Sequence, residues 1–424
     1  MVIFLFVLSF FIPVLYPVAF MLTGILLLLM SIDYVLLFSA KLPVAKRVVN
    51  ARLSNGDNNT VELSIKSNFP FTVSIKIIDE LPFQFQERNF SIRKNMMYRE
   101  RITIDYTIRP ASRGIYSFGD IVLYVHSALG LVVRRCRIPS TENIHVYPSF
   151  MQLRKYEIIS HTAQIKEAGS KRMRKIGHSM EFEQVKDYVS GDDIRTINWK
   201  ATARKGLMMV NSYVDEKSQQ VYCIIDKGRL MKMPFNGLSL LDYAINSVLA
   251  LSNVCIQKQD KIGLISFSHK MDTLIPAERK PVQREHILQA LYKEKTTFLE
   301  SDFEMLYMQL RHKVKQRSLL ILFTNFESLN GLRRQLNYLR SIAKHHLLLV
   351  VFFENTELNK LSGAAAYNIE EVYIKTIAEK FAFEKRLIVK ELQNAGILSI
   401  LTSPENLTIN AINKYLELKA RQAS

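Results

Sequence analysis

The chain has 424 residues, of which 48% are hydrophobic and 23% are charged, so it is long enough for two or three domains. With only 15 Gly and 12 Pro, this composition excludes wholesale disorder and a low-complexity chain. The three cysteines, Cys136, Cys223 and Cys255, share no short spacing, which excludes a disulfide framework or a zinc knuckle and fits a reducing compartment. The net charge of +18 suits contact with nucleic acid, anionic lipid or an acidic protein.

The N-terminal stretch is apolar and predicts a membrane segment. Residues 2–40 contain no Lys or Arg, and Asp33 is their single carboxylate. About 20 helical residues cross a bilayer, so the stretch is long for one span and about right for two. Pro13 and Pro17 supply the break. We therefore expect a transmembrane helical hairpin over residues 1–40, with one long tilted helix as the alternative.

The charges around this stretch predict its orientation. A cleaved signal peptide is not expected, because the stretch has neither a basic start nor a small-residue cleavage site. Lys41, Lys46 and Arg47 follow the stretch directly. The positive-inside tendency then predicts an inner (cytoplasmic) membrane protein whose soluble domains face the cytoplasm.

Residues 44–148 alternate apolar and polar side chains in short runs, as half-buried strands do. Turn chemistry separates the runs, for example at Asn55-Gly56-Asp57 and Arg113-Gly114. The spacing of about ten residues per strand predicts an all-β, sandwich-like domain.

Residues 149–217 are predicted to be a connector. The connector carries a basic cluster of Lys171, Arg172, Arg174 and Lys175. No aromatic side chain lies within this cluster to stack on bases, so nucleic acid is not an expected partner. A solvated loop is the simplest interpretation, and contact with an anionic membrane or an acidic protein remains open.

The connector ends in the most distinctive segment of the chain. Its motif residues, which we call the signature segment, are Glu181, Phe182, Tyr188, Gly191, Asp192, Asp193, Arg195, Ile197, Asn198, Trp199, Ala201, Thr202, Ala203 and Arg204. The carboxylates can accept backbone N–H groups in a turn, and the arginines can pair with Glu181, Asp192 or Asp193 or stack on Trp199. Two interpretations stay open, a salt-bridged structural clasp and a recognition surface for a partner.

Residues 218–424 alternate apolar strands with helix-length amphipathic segments. Strands are expected at residues 221–225, 262–267, 319–324, 347–353 and 397–401. This alternation predicts an α/β Rossmann-like domain with a mostly parallel sheet. Functional residues in such a sheet gather at the carboxyl ends of strands, which points to Asp226, Ser268 and the loop from Thr324 to Glu327.

The signature segment closely resembles the motif of the family named domain of unknown function fifty-eight (DUF58). Arg113-Gly114-Ile115-Tyr116 and Gly130-Leu131 resemble the strand region of the same family, so the resemblance covers most of the chain. It implies two N-terminal membrane helices, a β domain and a von Willebrand factor A-like domain in a bacterial membrane protein. It also implies a MoxR-type AAA+ ATPase and other membrane-associated von Willebrand A proteins as partners in assembling or maturing proteins.

The metal site typical of a von Willebrand A domain is degenerate in this sequence. Such a site holds Mg²⁺ or Mn²⁺ through D-x-S-x-S, a distant Thr and a later Asp. Asp226 is present, but Gly228 and Leu230 replace the two serines and Asn325 replaces the later aspartate, with Thr296 or Thr297 as the candidate threonine. Because hard cations need several oxygen ligands, neither a bound metal nor any other cofactor is expected.

The sequence favours a non-enzymatic function. It contains no GxSxG, HExxH or GxxxxGK[ST] motif. Together with the family resemblance, which implies a MoxR-type ATPase as partner, this leads us to expect a membrane-anchored adaptor or scaffold. A metal-dependent adhesion or ligand-binding protein is the alternative, and an uncharacterised hydrolase is a third possibility.

Overall fold

A computed structural model describes most of the chain, in two compact units, Met1–Tyr147 and Pro148–Ser424. The residues that it describes are 4, 6–7, 10–12, 15–87, 90–149, 180–189, 192–215, 218–363 and 368–423. The predicted basic cluster around Lys171, and the break at Pro13, lie outside these residues. The predicted domain boundaries stay predictions.

The first unit begins with one apolar helix, α1 (Leu15–Ser39). By length and composition α1 could cross a membrane. Pro17, one of the two prolines of the predicted break, lies in the first turn of α1. Most of the other limb of the predicted hairpin lies outside the described residues, so the hairpin stays a prediction. The second helix that is long and apolar enough, Leu240–Gln257, is instead buried inside the second unit.

The rest of the first unit is a sandwich-like stack of small sheets, as predicted. Its ten strands are β1 (Val44–Val48), β2 (Arg52–Ser54), β3 (Asn59–Lys66), β4 (Val73–Asp79), β5 (Ile92–Met96), β6 (Arg101–Ile108), β7 (Gly114–Phe118), β8 (Ile121–His126), β9 (Val133–Ile138) and β10 (Glu142–Tyr147). They form sheets in the orders β1-β3-β6, β2-β10-β7 and β5-β4-β8-β9. The strands bury alternate side chains, such as Val61, Leu63 and Ile65 of β3, because successive side chains point to opposite faces.

The carboxylate of Asp33 fixes the C-terminal part of α1 to the sandwich. Its Oδ2 accepts the backbone N–H groups of Leu131, at 3.0 Å, and of Val132, at 2.8 Å. The Arg134 guanidinium donates to the carbonyls of Leu37 and Ala40 at the helix end. These carbonyls have no partner inside the helix, so Arg134 acts as a C-terminal cap.

A buried ion pair ties the strands of the first unit together. Arg47 and Asp79 pair with both side chains inaccessible to solvent. Arg47 also donates to the carbonyl oxygens of Ser140, at 2.8 Å, and Gly119, at 3.0 Å, and Tyr106 donates to Asp79. Burial and the Asp79 charge raise the pKa of Tyr106, so its hydroxyl stays a proton donor.

The second unit begins with an antiparallel pair, β11 (Met180–Asp187) and β12 (Met209–Asp215). A 3₁₀ turn (Ile194–Thr196) and a short helix, α2 (Trp199–Lys205), lie between these strands. The signature segment thus runs along β11, the turn and α2.

The remainder is an α/β domain. Its elements are β13 (Gln220–Asp226), β14 (Pro234–Phe235), β15 (Leu238–Ser239), α3 (Leu240–Gln257), β16 (Lys261–Phe267), β17 (Met271–Glu278), α4 (Gln283–Lys293), α5 (Phe303–Lys313), β18 (Leu319–Phe323), α6 (Leu329–His345), β19 (Leu347–Phe353), α7 (Thr356–Gly363), α8 (Ile369–Asn394), β20 (Leu398–Thr402) and α9 (Leu407–Ala423). A 3₁₀ turn (Arg229–Lys232) follows β13, and another (Pro404–Asn406) precedes α9.

The six-stranded sheet has the order β17-β16-β13-β18-β19-β20. All neighbouring pairs are parallel except β16 with the edge strand β17. The strand order reverses between β13 and β18, which is the point where ligands bind in doubly wound sheets. Side chains of β13 alternate between two buried clusters, with Cys223 and Ile225 in one and Tyr222 and Ile224 in the other. The expected order of an apolar N-terminal helix, a β-sandwich-like domain and an α/β domain with a mostly parallel sheet is confirmed in the described residues.

Candidate functional site

The carboxyl ends of β13 and β18 bring Asp226 and Thr324 together. Asp226 is the last residue of β13 and is 3% exposed. Its Oδ2 accepts the hydroxyl of Thr324 at 2.7 Å, and its Oδ1 accepts the Gly228 N–H at 2.8 Å and the Ser301 hydroxyl. Both carboxylate oxygens are therefore engaged by internal donors.

Burial raises the pKa of Asp226, and the Ser301, Thr324 and Gly228 donors partly offset that effect. To bind a metal ion, the Asp226 oxygens would need free lone pairs. Here the hydroxyls of Ser301 and Thr324 donate hydrogen bonds to these oxygens. The arrangement suits a hydrogen-bonded structural carboxylate better than a Mg²⁺ site.

The predicted threonine, Thr297, and a second threonine, Thr324, have different hydrogen-bond partners. Thr297 donates its hydroxyl to the backbone carbonyl of Lys227 at 3.3 Å. Thr324, which directly follows β18, supplies a hydroxyl to Asp226. The loop containing Thr297 is held by backbone bonds to Lys227, including Thr297 N–H to the same carbonyl at 2.9 Å. The role expected of Thr297 stays a prediction.

The other predicted metal positions also have different neighbours. The Oδ1 atom of Asn325 accepts a hydrogen bond from the Lys385 ammonium group at 2.8 Å, so a side-chain cation lies beside Asn325. Lys385 comes from α8, 60 residues further along the chain, and it also donates to the Phe326 carbonyl at 2.5 Å. Leu230 lines a cavity of about 370 Å³ beside the same loop, together with Arg229, Phe353 and Lys385. Burial lowers the pKa of Lys385 to about 8, although the charge of Glu327 acts in the opposite direction.

A second buried network, which no sequence motif predicts, lies next to Asp226. The Lys227 ammonium pairs with Asp272 and Glu294, at 2.7 Å each. Glu294 also accepts the hydroxyls of Ser266 and Thr273 at 2.7 Å. Burial would lower the pKa of Lys227, but the two carboxylates more than offset this effect and raise it. Lys227 and Glu294 thus have several polar partners each, and these contacts hold the chain at the carboxyl end of β13.

The signature segment is held together mainly through its backbone. Asn198 caps α2 by accepting the Ala201 N–H at 3.0 Å, and its amide donates to Asn211 at 2.8 Å. Thr202 accepts the Met209 N–H at 3.0 Å. Gly206 ends the helix with a φ of 71°, a left-handed conformation that favours glycine.

The two predicted aspartates of the signature segment serve local turns. Asp192 accepts the Lys186 ammonium at 2.9 Å and the Val189 N–H at 3.1 Å, which hold the pKa of its carboxyl below the usual value. Asp193 accepts the backbone N–H of Arg195 at 2.9 Å. The predicted pairing of an arginine side chain with these carboxylates is therefore not what the described residues show.

The large side chains of the segment face outward. Trp199 is 70% exposed, and Arg195 and Arg204 are exposed. Neither arginine makes a side-chain hydrogen bond or ion pair within the described ranges. Tyr188 is half-buried, and its backbone N–H bonds to Met208 at 2.8 Å. Glu181 and Phe182 lie on β11, and Gly191 lies outside the described residues.

Part of the chain is similar to known proteins. The model of the family described as "Protein of unknown function DUF58" matches residues 184–374. An uncharacterised protein, YeaD of Bacillus subtilis, is 21% identical over 189 residues, which are 43% of this chain and 47% of that protein. The chain therefore spans about half the length of this curated relative.

Solved structures show weaker similarity. The conserved hypothetical protein BatB of Bacteroides thetaiotaomicron is 13% identical and fully covered by 48% of this chain, with a TM-score of 0.31. The CARDB domain of the PF1109 protein of Pyrococcus furiosus is 10% identical over 25% of this chain and 94% of that domain, with a TM-score of 0.19. The architecture is accordingly assigned from strand order and register. The family model, the distant relative and the signature segment agree, and the chain contains a DUF58 family domain at residues 184–374.

Proposed function

We propose that the chain is a membrane-anchored, non-enzymatic scaffold that works with a MoxR-type AAA+ ATPase in assembling or maturing partner proteins. The ATPase is the partner that the family resemblance implies. The observation that carries the proposal is the outward-facing Trp199, flanked by two arginines without ionic partners in the described part of the chain.

An exposed Trp side chain leaves apolar surface in contact with water. Burying a Trp removes 150 to 250 Å² from water, worth roughly 4 to 6 kcal/mol at about 25 cal/mol per Å². Trp199 is 70% exposed, so the fold leaves most of this free energy unrealised. Asn198, Thr202 and Asp193 meanwhile fix the backbone of the segment. Trp and Arg are the residues most enriched in interface hot spots, so a rigid platform that presents them suits a docking role.

The metal-dependent alternative is less well supported. At Asp226 the donors are hydroxyl and amide protons, and at Asn325 the neighbour is an ammonium group. A ligand that binds through a shared metal would have to displace these donors first.

The docking proposal is tested by co-purification of the full chain with the MoxR-type ATPase from uncharged detergent. We expect Trp199→Ala, and Arg195→Ala combined with Arg204→Ala, to reduce the recovered ATPase at least about tenfold, with no change in melting temperature because these side chains are exposed. Ile369→Ala is the matched control, since Ile369 is an apolar side chain that is 90% exposed on another helix. Undiminished ATPase recovery from both signature variants would refute the proposal, and a lowered melting temperature would favour the structural clasp.

The orientation is tested separately. All three native cysteines are buried, and burial raises the pKa of each thiol, so they are poor reporters. A cysteine introduced as Ala111→Cys, at an exposed position of the first unit, gives a reactive probe. We expect an impermeant thiol reagent to label it only after the membrane is opened, and labelling in intact cells would contradict the cytoplasmic orientation.

A further inference from the structure

A second feature of the α/β domain lies at the amino ends of the parallel strands, whereas Asp226 lies at their carboxyl ends. A pocket of about 260 Å³ opens where β18 and β19 begin, between the ends of α5 and α6. The residues that line it include Arg311, Lys315, Arg317, His345 and His346. Among the described residues, no carboxylate lines the pocket.

The charge around the pocket is strongly positive and uncompensated by side chains. Arg311, Lys313, Lys315, Arg317 and Lys344 are all exposed, and within the described ranges none of them forms an ion pair. The ends of α5 and α6 contribute about half a negative charge each through their free carbonyl groups. Five full positive charges therefore outweigh the two helix ends by about four charges, so capping of the helices does not account for the whole cluster.

His346 adds a donor of fixed orientation. It is 6% exposed, and its Nδ1 accepts the backbone N–H of Ser318 at 3.4 Å, which places the ring hydrogen on Nε2. Burial, with the neighbouring charges of His345 and Arg317, lowers the pKa of His346, so the ring is neutral near pH 7 and Nε2 remains a single donor.

We propose that this pocket binds a phosphate group, either as free phosphate or as the headgroup of an anionic phospholipid. Arg311 and Arg317 offer planar forks that match phosphate oxygens, Lys315 adds a point charge, and His346, which also lines the pocket, adds a neutral donor. The volume is below the range that holds a drug-sized ligand, which fits a small headgroup better than a nucleotide. This site is independent of the Trp199 surface and of the proposed ATPase partner.

The test uses the full chain in uncharged detergent and isothermal titration calorimetry. The probes are inorganic phosphate, dihexanoyl phosphatidylglycerol and, as a zwitterionic control, dihexanoyl phosphatidylcholine. We expect saturable binding that weakens with added salt, and a loss of at least about tenfold in affinity in the Lys315→Gln/Arg317→Gln variant. The matched control is Lys380→Gln/Arg386→Gln, which removes two exposed cations of α8 and should bind as the unaltered chain does.

The experiment distinguishes free phosphate from the headgroup of an anionic phospholipid. Binding of phosphatidylglycerol without inorganic phosphate identifies a lipid headgroup, and binding of inorganic phosphate, with or without the lipid, identifies the phosphate group itself. The proposal is overturned if neither probe binds saturably, or if the control pair loses as much affinity as the pocket pair. Melting temperatures of both variants, which alter only exposed side chains, establish that each is folded.

Discussion

The hydroxyl of Ser301 fills the space that a side chain at Gly228 would occupy, and it donates to the Asp226 carboxylate from there. A Cβ at Gly228 would also lie 3.1 Å from Asp226 Oδ1 and 3.3 Å from the Leu299 carbonyl oxygen. The position that carries a serine in a metal-binding von Willebrand A domain is therefore closed by a hydroxyl from another loop.

This relationship predicts the effect of restoring the serine. We expect Gly228→Ser to destabilise the fold by about 1 to 3 kcal/mol, because the new side chain overlaps Ser301. Ser301→Gly alone removes a donor from Asp226. The double variant should be more stable than the sum of the two single effects by at least about 0.5 kcal/mol, measured by denaturant unfolding. Strictly additive effects would show that the two positions do not compete for this space.

The same geometry predicts how the chain responds to metal. Titration of the full chain in detergent with Mg²⁺ or Mn²⁺ should show no saturable binding below about millimolar concentration, because the Asp226 oxygens already accept internal hydrogen bonds and Asn325 adds no charge. Asp226→Ala is the control. Saturable binding that this substitution abolishes would contradict the structural interpretation of Asp226.

The contact of Asp33 with the sandwich predicts a stability effect. We expect Asp33→Leu to cost about 1 to 3 kcal/mol, because the N–H groups of Leu131 and Val132 lose their acceptor. Asp33→Asn keeps one acceptor oxygen and should retain part of the stability. Ser31→Ala is the matched control, since the Ser31 hydroxyl bonds only to the Leu27 carbonyl of its own helix. Equal thermal midpoints for Asp33→Leu and Ser31→Ala would count against the anchoring role.

Lys385 predicts a pH dependence. Its pKa is lowered from 10.5 to about 8 in the folded chain, so between these values the unfolded chain binds a proton that the folded chain has released. Stability should therefore rise with pH across this window by linkage. The rise should be absent in Lys385→Met and present in Lys380→Met, which alters an exposed lysine of the same helix. Parallel stability curves for the unaltered chain and Lys385→Met, followed by thermal unfolding, would show that Lys385 titrates normally.

Local patterns were sufficient for the architecture. The apolar N-terminal run predicts membrane-length helix, of which α1 is the described part. The two-residue alternation predicts the sandwich strands such as β3, and the apolar runs separated by amphipathic segments predict the parallel sheet. These properties depend on residues that are near one another in the chain, and side-chain periodicity reports them directly. The signature segment was also visible, because its residues are closely spaced and of distinctive types.

The sites depended on residues that are distant in the sequence. Ser301 reaches Asp226 across 75 positions, Lys385 reaches Asn325 across 60, and Arg47 reaches Asp79 across 32. The phosphate pocket likewise combines the end of α5 with the end of α6. The amino-acid sequence by itself determined the kinds of elements and the degenerate metal motif, since composition and spacing record both. Only the tertiary structure decided which side chains meet, because packing of the sheet and its helices sets those contacts and leaves Trp199 facing outward.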